Sequence, residues 1–403
     1  MLTKLKYMGN SITLMKKKLF LIILNQLNFV FTYALLLLFA SLLSVEDFGV
    51  LSYIKNIMSV SLVFVVFGLD RAGLYLFKDN VFYSYPYANM TRLLLSFIAV
   101  CLMYIYFSLN RIVSLEVVTI MALYLIVSAF NIKYIFDITK KIEYEIYFSY
   151  LRSFPFLIFL LFYIALHFQV SVNCYVALML AGIILYISFQ YIFFKIPPKI
   201  KFDIKRIEQI LKYSNYVWIG TIASNINNYA DSFMIMDIIG KEETGIYSFS
   251  YMFYTGMLML TALPLRMYVS EMINRPLDIK DVHRYSFNMF LFSIIVFLFG
   301  YILYPVIIDM FFQKYSDSVK TFDILALSFI IVSVTSIYGH LLISKGFSKF
   351  YALSMVVTAI LNIIMNFFVI KRYGIEGAAY TTLISTSIAM VFTYYLFKIK
   401  VNA

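Results

Sequence analysis

The chain alternates between long apolar runs and short polar stretches, and the apolar runs determine its architecture. A helix needs about 20 mostly apolar residues to cross the hydrocarbon core of a bilayer. Twelve runs of roughly this length follow one another, from residues 19–43 to residues 376–397. Continuous apolar stretches such as 183–187 favour helices over barrel strands, in which apolar and polar residues alternate. The pattern predicts an all-α, polytopic membrane protein with twelve transmembrane helices.

The composition agrees with this pattern and excludes several classes of protein. Charged residues make up 13% of the chain and hydrophobic residues 63%, whereas ordinary soluble domains carry about 25% charged residues. So few charges cannot cover a soluble globule of 403 residues. A soluble enzyme, a disordered chain and a nucleic-acid-binding domain are therefore excluded, in spite of the net charge of +12. Two cysteines and three scattered histidines predict neither a disulfide framework nor a metal centre.

The basic residues predict the orientation in the membrane. Cytoplasmic connections of membrane proteins carry an excess of Lys and Arg. If the amino terminus lies inside, most of the 33 basic residues fall on the cytoplasmic side. Both termini are therefore predicted to be cytoplasmic. The basic amino-terminal region is interpreted as preceding an uncleaved first span, because its apolar run is longer than that of a signal peptide.

A weak internal repeat divides the chain into two halves. Residues 46–52 (EDFGVLS) match residues 242–248 (EETGIYS), and both segments are predicted at the outer turn after the first helix of a six-helix set. Because six is an even number, the halves enter the membrane in the same direction, as a parallel repeat with a substrate path between them. The predicted organisation is a six-helix bundle at 1–194, a basic cytoplasmic linker at 195–212 and a second six-helix bundle at 213–403, around a central cavity. Chance similarity between short turns is the alternative.

The linker at 195–212 contains six basic residues, two acidic residues and a Pro-Pro break. Within it, Ile207, Ile210 and Leu211 follow at helical spacing. This spacing predicts a short amphipathic helix on the inner membrane surface. A topological anchor and a regulatory element are both open interpretations of this segment.

Polar side chains inside two predicted spans are candidates for ion coupling. Asp231 shares a helix face with Asn228 by spacing, and Asn362 and Asn366 are four residues apart in the eleventh span. Ionisable groups inside a membrane are expensive and face protein or water. A carboxylate with amide oxygens suits Na⁺, and a desolvated carboxylate suits a proton. Hydrogen bonds that only hold helices together are the alternative. No resident cofactor or metal is expected.

Three stretches carry a resemblance to a known family. They are LNIIMN at 361–366 with YGIEGAA at 373–379, LSVEDFG at 43–49, and 231–240 followed by TGIYS at 244–248. In this order, with twelve spans, the chain resembles the polysaccharide flippases. These are the O-antigen repeat-unit exporters (the Wzx group) of the multidrug/oligosaccharidyl-lipid/polysaccharide exporter superfamily.

The resemblance implies translocation of an undecaprenyl-diphosphate-linked oligosaccharide across a bacterial inner membrane, driven by an ion gradient or the membrane potential. It implies no enzymatic activity. Besides this lipid-linked oligosaccharide and the membrane lipids, the polymerase and chain-length regulator of the same pathway are candidate partners. Nucleic acid is not an expected partner.

Given such a substrate, four cations are candidates for contacts with its diphosphate. Lys55 and Arg152 fall inside predicted spans, and Arg71 and Arg266 end the second helix of each half. Arg offers forked donors that match phosphate oxygens. Snorkelling towards lipid headgroups and plain cytoplasmic anchoring are the alternatives for these residues.

Two other functions are weighed against a flippase. A cation-coupled multidrug exporter of the same superfamily would require acids in the amino-terminal cavity, where the buried charges of this chain are cationic. A membrane O-antigen polymerase would require a large periplasmic loop, and the longest outer segment, at about 309–320, is short. The sequence therefore favours a flippase.

Overall fold

The computed structural model describes residues 20–21, 24, 26–77, 80–166, 170–273 and 278–401, which form helices and connections without a β-strand. This confirms the predicted all-α class. The helices, numbered in chain order, are α1 (Gln26–Leu42), α2 (Val45–Val66), α3 (Leu69–Leu76), α4 (Val81–Asn110), α5 (Leu115–Ser128), α6 (Lys133–Ile138), α7 (Ile142–Ser149), α8 (Phe154–Leu166), α9 (Val172–Phe194), α10 (Ile204–Ile238), α11 (Lys241–Ile273), α12 (Ile279–Phe311), α13 (Ser318–Ser344) and α14 (Ser348–Val401). Two short 3₁₀ helices lie at Tyr150–Arg152 and Gln313–Tyr315.

The length and apolarity of the helices agree with a protein that crosses the membrane many times. Nine helical segments of the described residues are long and apolar enough to span a bilayer. One of them, Ser348–Lys400, is about 80 Å long at 1.5 Å per residue, and it is interrupted at Gly374 (φ 60°, ψ −144°), so it contains two spans. The shorter apolar helix α1 and the long but more polar α10 bring the number to the twelve predicted.

The amino-terminal end of α4 differs from the predicted span at 90–109. The helix already begins at Val81 and contains Pro86 in its second turn, where proline removes one backbone hydrogen bond of the helix. Polar residues that suggested a connection are buried inside the protein, among them Asn89 and Arg92. Arg92 therefore lies three turns inside a helix rather than at the edge of one.

The described residues separate into two compact units. The first unit contains the chain up to Leu42 together with Ser61–Asn215, and the second contains Leu43–Val60 together with Tyr216–Ala403. Residues 43–60 thus pack with the carboxy-terminal part of the chain, although the expected amino-terminal bundle at 1–194 included them. The predicted short linker helix also differs: residues 204–212 are the first turns of α10, and Ile210 is buried in the core of the first unit.

The second unit contains a close crossing of α2 and α11 at the two matched glycines. A Cβ atom added to Gly49 would lie 2.0 Å from the carbonyl oxygen of Lys241, and one added to Gly245 would lie 2.1 Å from the carbonyl oxygen of Val45. Both segments were predicted at an outer turn, and this prediction is wrong for the glycines, because both lie within helices. Their physical role is to let two backbones approach more closely than any side chain would allow.

Candidate functional site

Asp231 lies at the centre of a buried hydrogen-bond network in the second unit. Its side chain is 3% exposed. Oδ2 accepts hydrogen bonds from the Tyr247 hydroxyl at 2.6 Å and the Thr382 hydroxyl at 2.5 Å, and Oδ1 accepts one from Asn366 Nδ2 at 2.6 Å. Donors from α11 and α14 therefore converge on a carboxylate of α10, and both carboxylate oxygens have hydrogen-bond partners.

A second set of contacts surrounds Asn366. Its Nδ2 also donates to Asn362 Oδ1 at 3.0 Å, and its Oδ1 accepts from the Thr381 hydroxyl. Asn362 and Asn366 are both at most 1% exposed. The predicted ion-coupling residues Asp231, Asn362 and Asn366 are thus brought together in one network.

The interruption of α14 at Gly374 makes this network possible. Asn366 and Thr381 are 15 residues apart and would be separated by about 22 Å along an unbroken helix. The break instead places the hydroxyls of Thr381 and Thr382 on the same cluster as the two asparagines. The φ of 60° at Gly374 lies in the region that glycine adopts without steric cost. The YGIEGAA motif therefore shapes the site without supplying a ligand.

A cavity of about 180 Å³ lies beside the carboxylate. Asn228, which is exposed, lines it together with Asp231 and Thr382. Three tyrosines also line it, namely Tyr251, Tyr254 and Tyr351. Among the described residues around the cavity there is no Lys or Arg. Amide, hydroxyl and carboxylate groups of this kind suit a cation or a neutral polar group, and they do not suit a phosphate.

None of the predicted phosphate-binding cations is among the described residues that line this cavity. Lys55, which is half-buried, lies on α2 in the part that packs with the second unit. Arg152 is exposed and lies in the 3₁₀ turn between α7 and α8 of the first unit. The side chains of Arg71 and Arg266 lie outside those that the structure describes. The proposed role of these four residues therefore stays a prediction.

Arg152 belongs to a cluster of alternating charges in the first unit. Its guanidinium carbon lies 3.8 Å from the centre of the Tyr186 ring, a cation–π contact. The Tyr186 hydroxyl donates to Glu145 Oε1 at 2.9 Å, and Lys133 Nζ lies 3.5 Å from the same oxygen. The Tyr186 ring thus contacts Arg152, while Glu145 accepts from Tyr186 and compensates the charge of Lys133.

Besides Asp231, the protein has a buried charge in the first unit that sequence reasoning missed. Arg92 is completely buried, and its Nη2 donates to Asp70 Oδ1 at 2.7 Å. Its Nη1 donates to the carbonyl oxygen of Asn131, whose side chain accepts from Gln190 Nε2 at 3.1 Å. Residues 81–89 precede the predicted span at 90–109, and their polar side chains are typical of a connection. The structure shows that they are already part of α4. Tyr247, the third donor to Asp231, was also missed, although it lies in the repeated segment 242–248.

Comparison with protein families identifies the relationship. The family model described as "Polysaccharide biosynthesis protein" matches residues 14–267 and 237–402. The chain belongs to this family. Membership confirms the resemblance to polysaccharide flippases and agrees with a multi-pass membrane protein.

Two relatives come from Methanocaldococcus jannaschii. "Uncharacterized membrane protein MJ1068" is 23% identical over 402 residues, which cover 89% of this chain and 79% of that protein. "Uncharacterized membrane protein MJ1375" is 26% identical over 194 residues, which cover 47% of this chain and 46% of that protein. The chain thus spans about half the length of the second relative and most of the first.

Solved structures share the fold at low identity. A structure of the lipid II flippase MurJ in an inward closed conformation matches with a TM-score of 0.76 at 16% identity, and covers 93% of this chain and 87% of that one. An inward-facing multidrug resistance MATE family transporter of the MOP superfamily matches with a TM-score of 0.65 at 12% identity, over 93% and 94% of the two chains. These neighbours, a flippase and a transporter, show the fold that the chain adopts.

Proposed function

We propose that this protein moves undecaprenyl-diphosphate-linked O-antigen, or related polysaccharide, repeat units from the cytoplasmic to the periplasmic leaflet of a bacterial inner membrane. It works by alternating access that is coupled to an ion gradient or to the membrane potential, and both its termini are cytoplasmic. Membership of the polysaccharide biosynthesis protein family supports the substrate class. The buried Asp231 network carries the coupling part of the proposal.

Asp231 is suited to bind the coupling ion. A carboxylate inside a membrane protein is costly unless its charge is compensated. Its donors among the described residues are neutral, namely Tyr247, Asn366 and Thr382. A proton or Na⁺ would supply the missing positive charge. The oxygens of Asp231, Asn362 and Thr382 are of the hard type that a small cation prefers.

Binding of an ion at this point has a direct structural consequence. The donors come from α11 and from both parts of α14, on either side of the Gly374 break. When an ion replaces a donor on the carboxylate, the hydrogen bond that ties that helix to α10 is lost. Occupancy of the site therefore changes how these helices are held together, and a coupled transporter requires this kind of change.

The diphosphate and the sugars require different surroundings. Lys55 and Arg152, with Arg71 and Arg266, are the proposed contacts for the diphosphate, because phosphate binding requires cations that remain charged. The cavity beside Asp231 lacks such cations among its described lining residues. Its tyrosines and amides suit a sugar, whose C–H faces pack against aromatic rings and whose hydroxyls form hydrogen bonds with amide groups.

A strain that lacks its own repeat-unit flippase tests the proposal. Expression of this protein should restore the surface polysaccharide and remove the single lipid-linked repeat units that accumulate on the inner leaflet. Repeat units that remain on the inner leaflet, despite normal amounts of protein in the membrane, would contradict the proposal. A change in polymer length alone would indicate a role in polymerisation.

A cation-coupled multidrug exporter is the second candidate. It is favoured by the cavity of the second unit, which contains an acid and, among its described lining residues, no base. Expression in a drug-sensitive strain separates the two functions. Increased resistance to cationic dyes without restoration of polysaccharide would favour the exporter, and the opposite result would favour the flippase.

A further inference from the structure

The segment between α9 and α10 is fixed on the surface of the first unit in an extended conformation. We call this segment together with the first residues of α10, that is residues 195–206, the basic strap. The Lys201 N–H donates to the Pro86 carbonyl at 3.1 Å, the Tyr85 hydroxyl donates to the Pro197 carbonyl at 2.9 Å, and Asn89 Nδ2 donates to the Lys199 carbonyl at 3.0 Å. Three hydrogen bonds thus fasten the strap to the first turns of α4, so its side chains have defined positions.

Two cations of the strap lie over the same pair of aromatic rings. Lys201 Nζ is 5.4 Å from the centre of the Tyr83 ring and 6.0 Å from that of Tyr87. Arg206 Cζ is 5.5 Å from each of these two ring centres. A guanidinium that stacks on a ring leaves its N–H edge available for a phosphate oxygen. The two cations and two rings form a compact positive site at the surface.

The acid closest in sequence to these cations is engaged elsewhere. Asp203 Oδ1 accepts hydrogen bonds from the backbone N–H groups of Lys205 at 3.0 Å and Arg206 at 3.3 Å, so it caps the first turn of α10. Across residues 195–212 the six basic residues outnumber the two acids. The strap therefore keeps an excess of positive charge, which favours an anionic partner.

Exposed apolar side chains accompany this charge. Phe202 and Ile204 are 67% and 69% exposed, and Ile200 is 49% exposed. Non-helical backbone, such as that of the strap, is not exposed to lipid in the hydrocarbon core of a bilayer. Exposure of these apolar side chains to water is also unfavourable. Basic residues between apolar ones are typical of segments that lie in the headgroup layer. The strap is therefore placed at the membrane surface.

We propose that the basic strap binds the headgroup of an anionic phospholipid, with the phosphate between Lys201 and Arg206 and the acyl chains along Phe202 and Ile204. Ser84 and Gln209, which line a small cavity with Arg206, offer hydrogen-bonding groups to the headgroup. This site is independent of the transported substrate. It therefore also holds if the protein exports something other than a lipid-linked oligosaccharide.

Native mass spectrometry of the purified full-length protein tests this site. The protein in a neutral detergent is titrated with dioctanoyl-phosphatidylglycerol, and the concentration that half-saturates the first lipid adduct is measured. Each basic residue near an anionic lipid surface contributes about 1 kcal/mol, so the double variant K201Q/R206Q should bind about 30-fold more weakly. The wild type should also lose binding when the ionic strength is raised, because salt screens exposed charges.

The variant K371Q/R372Q is the matched control. It also removes one Lys and one Arg, both exposed and both over aromatic rings, namely Phe367 and Tyr373, and it should bind phosphatidylglycerol like the wild type. Both variants are first checked for a single monodisperse species, and their melting temperatures are compared without lipid. Equal weakening in both variants, or equal binding of dioctanoyl-phosphatidylcholine by the wild type, would overturn the proposal. Equal competition by free glycerol phosphate would assign the site to a soluble phosphate and would overturn it as well.

Discussion

The close crossing of α2 and α11 in the second unit makes a quantitative prediction. A Cβ atom at Gly49 would lie 2.0 Å from the Lys241 carbonyl oxygen, whereas real Cβ atoms essentially never come closer than 3.0 Å to such an atom. Gly49→Ala therefore forces the two backbones apart by at least 1.0 Å. Overpacking of this kind destabilises a core by about 1–3 kcal/mol. The helix propensity that alanine gains over glycine, about 1 kcal/mol, offsets part of this loss.

The symmetry of the crossing predicts the behaviour of the double variant. Gly245→Ala should have a similar effect, since its Cβ would lie 2.1 Å from the Val45 carbonyl oxygen. Separation of the helices relieves both contacts together, so the double variant should lose less stability than the sum of the two single variants.

Thermal unfolding of the purified protein in detergent measures these effects. At about 2–4 °C per kcal/mol for a unit of this size, each single variant should melt about 2–12 °C below a Gly→Ala variant that gains the same helix propensity without a clash. The control is Gly220→Ala on α10, where the nearest atom to the new Cβ is 3.7 Å away. It should be neutral, or stabilised by about 1 kcal/mol through helix propensity. If Gly49→Ala and Gly245→Ala melt like Gly220→Ala, the helices do not meet at these glycines.

Three further substitutions test the site and its supports. Asp231→Asn keeps the shape of the side chain but places an N–H group against the donors that converge on it, so export should fall about tenfold. The control Asp309→Asn, on the exposed end of α12, should export normally. Undiminished export by Asp231→Asn would remove its coupling role. Gly374→Ala forces an alanine into a backbone conformation that favours glycine and should destabilise the protein by about 1–3 kcal/mol. An unchanged melting temperature would show that the interruption of α14 does not require glycine. Arg92→Gln removes the buried guanidinium that donates to Asp70, whose side chain is 37% exposed, and to the Asn131 carbonyl oxygen. It should destabilise by about 1–3 kcal/mol, whereas the exposed Arg111→Gln should have little effect on thermal unfolding. Equal melting temperatures of the two variants would contradict the role of the Arg92 contacts.

The sequence was sufficient for the fold class and for the polar residues of the second unit. Apolar runs of membrane-spanning length are a strong signal, because such runs can be exposed to lipid but not to water. The spacing of Asn362 and Asn366 placed both on one helix face, and their contact confirms it. Asp231 stood out because a carboxylate within an apolar run requires a specific partner.

Contacts between distant elements were beyond the sequence. Nothing local in the sequence indicated that Asp70 and Asn131 would surround Arg92. The glycines at 49 and 245 were recognised as a repeat, but local sequence cannot distinguish a turn from a close helix crossing. Residues 43–60 pack with the second unit through contacts between distant elements, among them this crossing, so their grouping could not be foreseen either.

Transport by the purified protein in liposomes tests the central claim most directly. An undecaprenyl-diphosphate-linked saccharide is incorporated together with the protein, and the fraction that an impermeant reagent modifies at the outer surface is followed over time. The account predicts that the wild type equilibrates the lipid between leaflets, and that Asp231→Asn does so at least about tenfold more slowly. An inner-leaflet fraction that stays as protected as in protein-free liposomes, with correctly folded wild-type protein, would contradict the account.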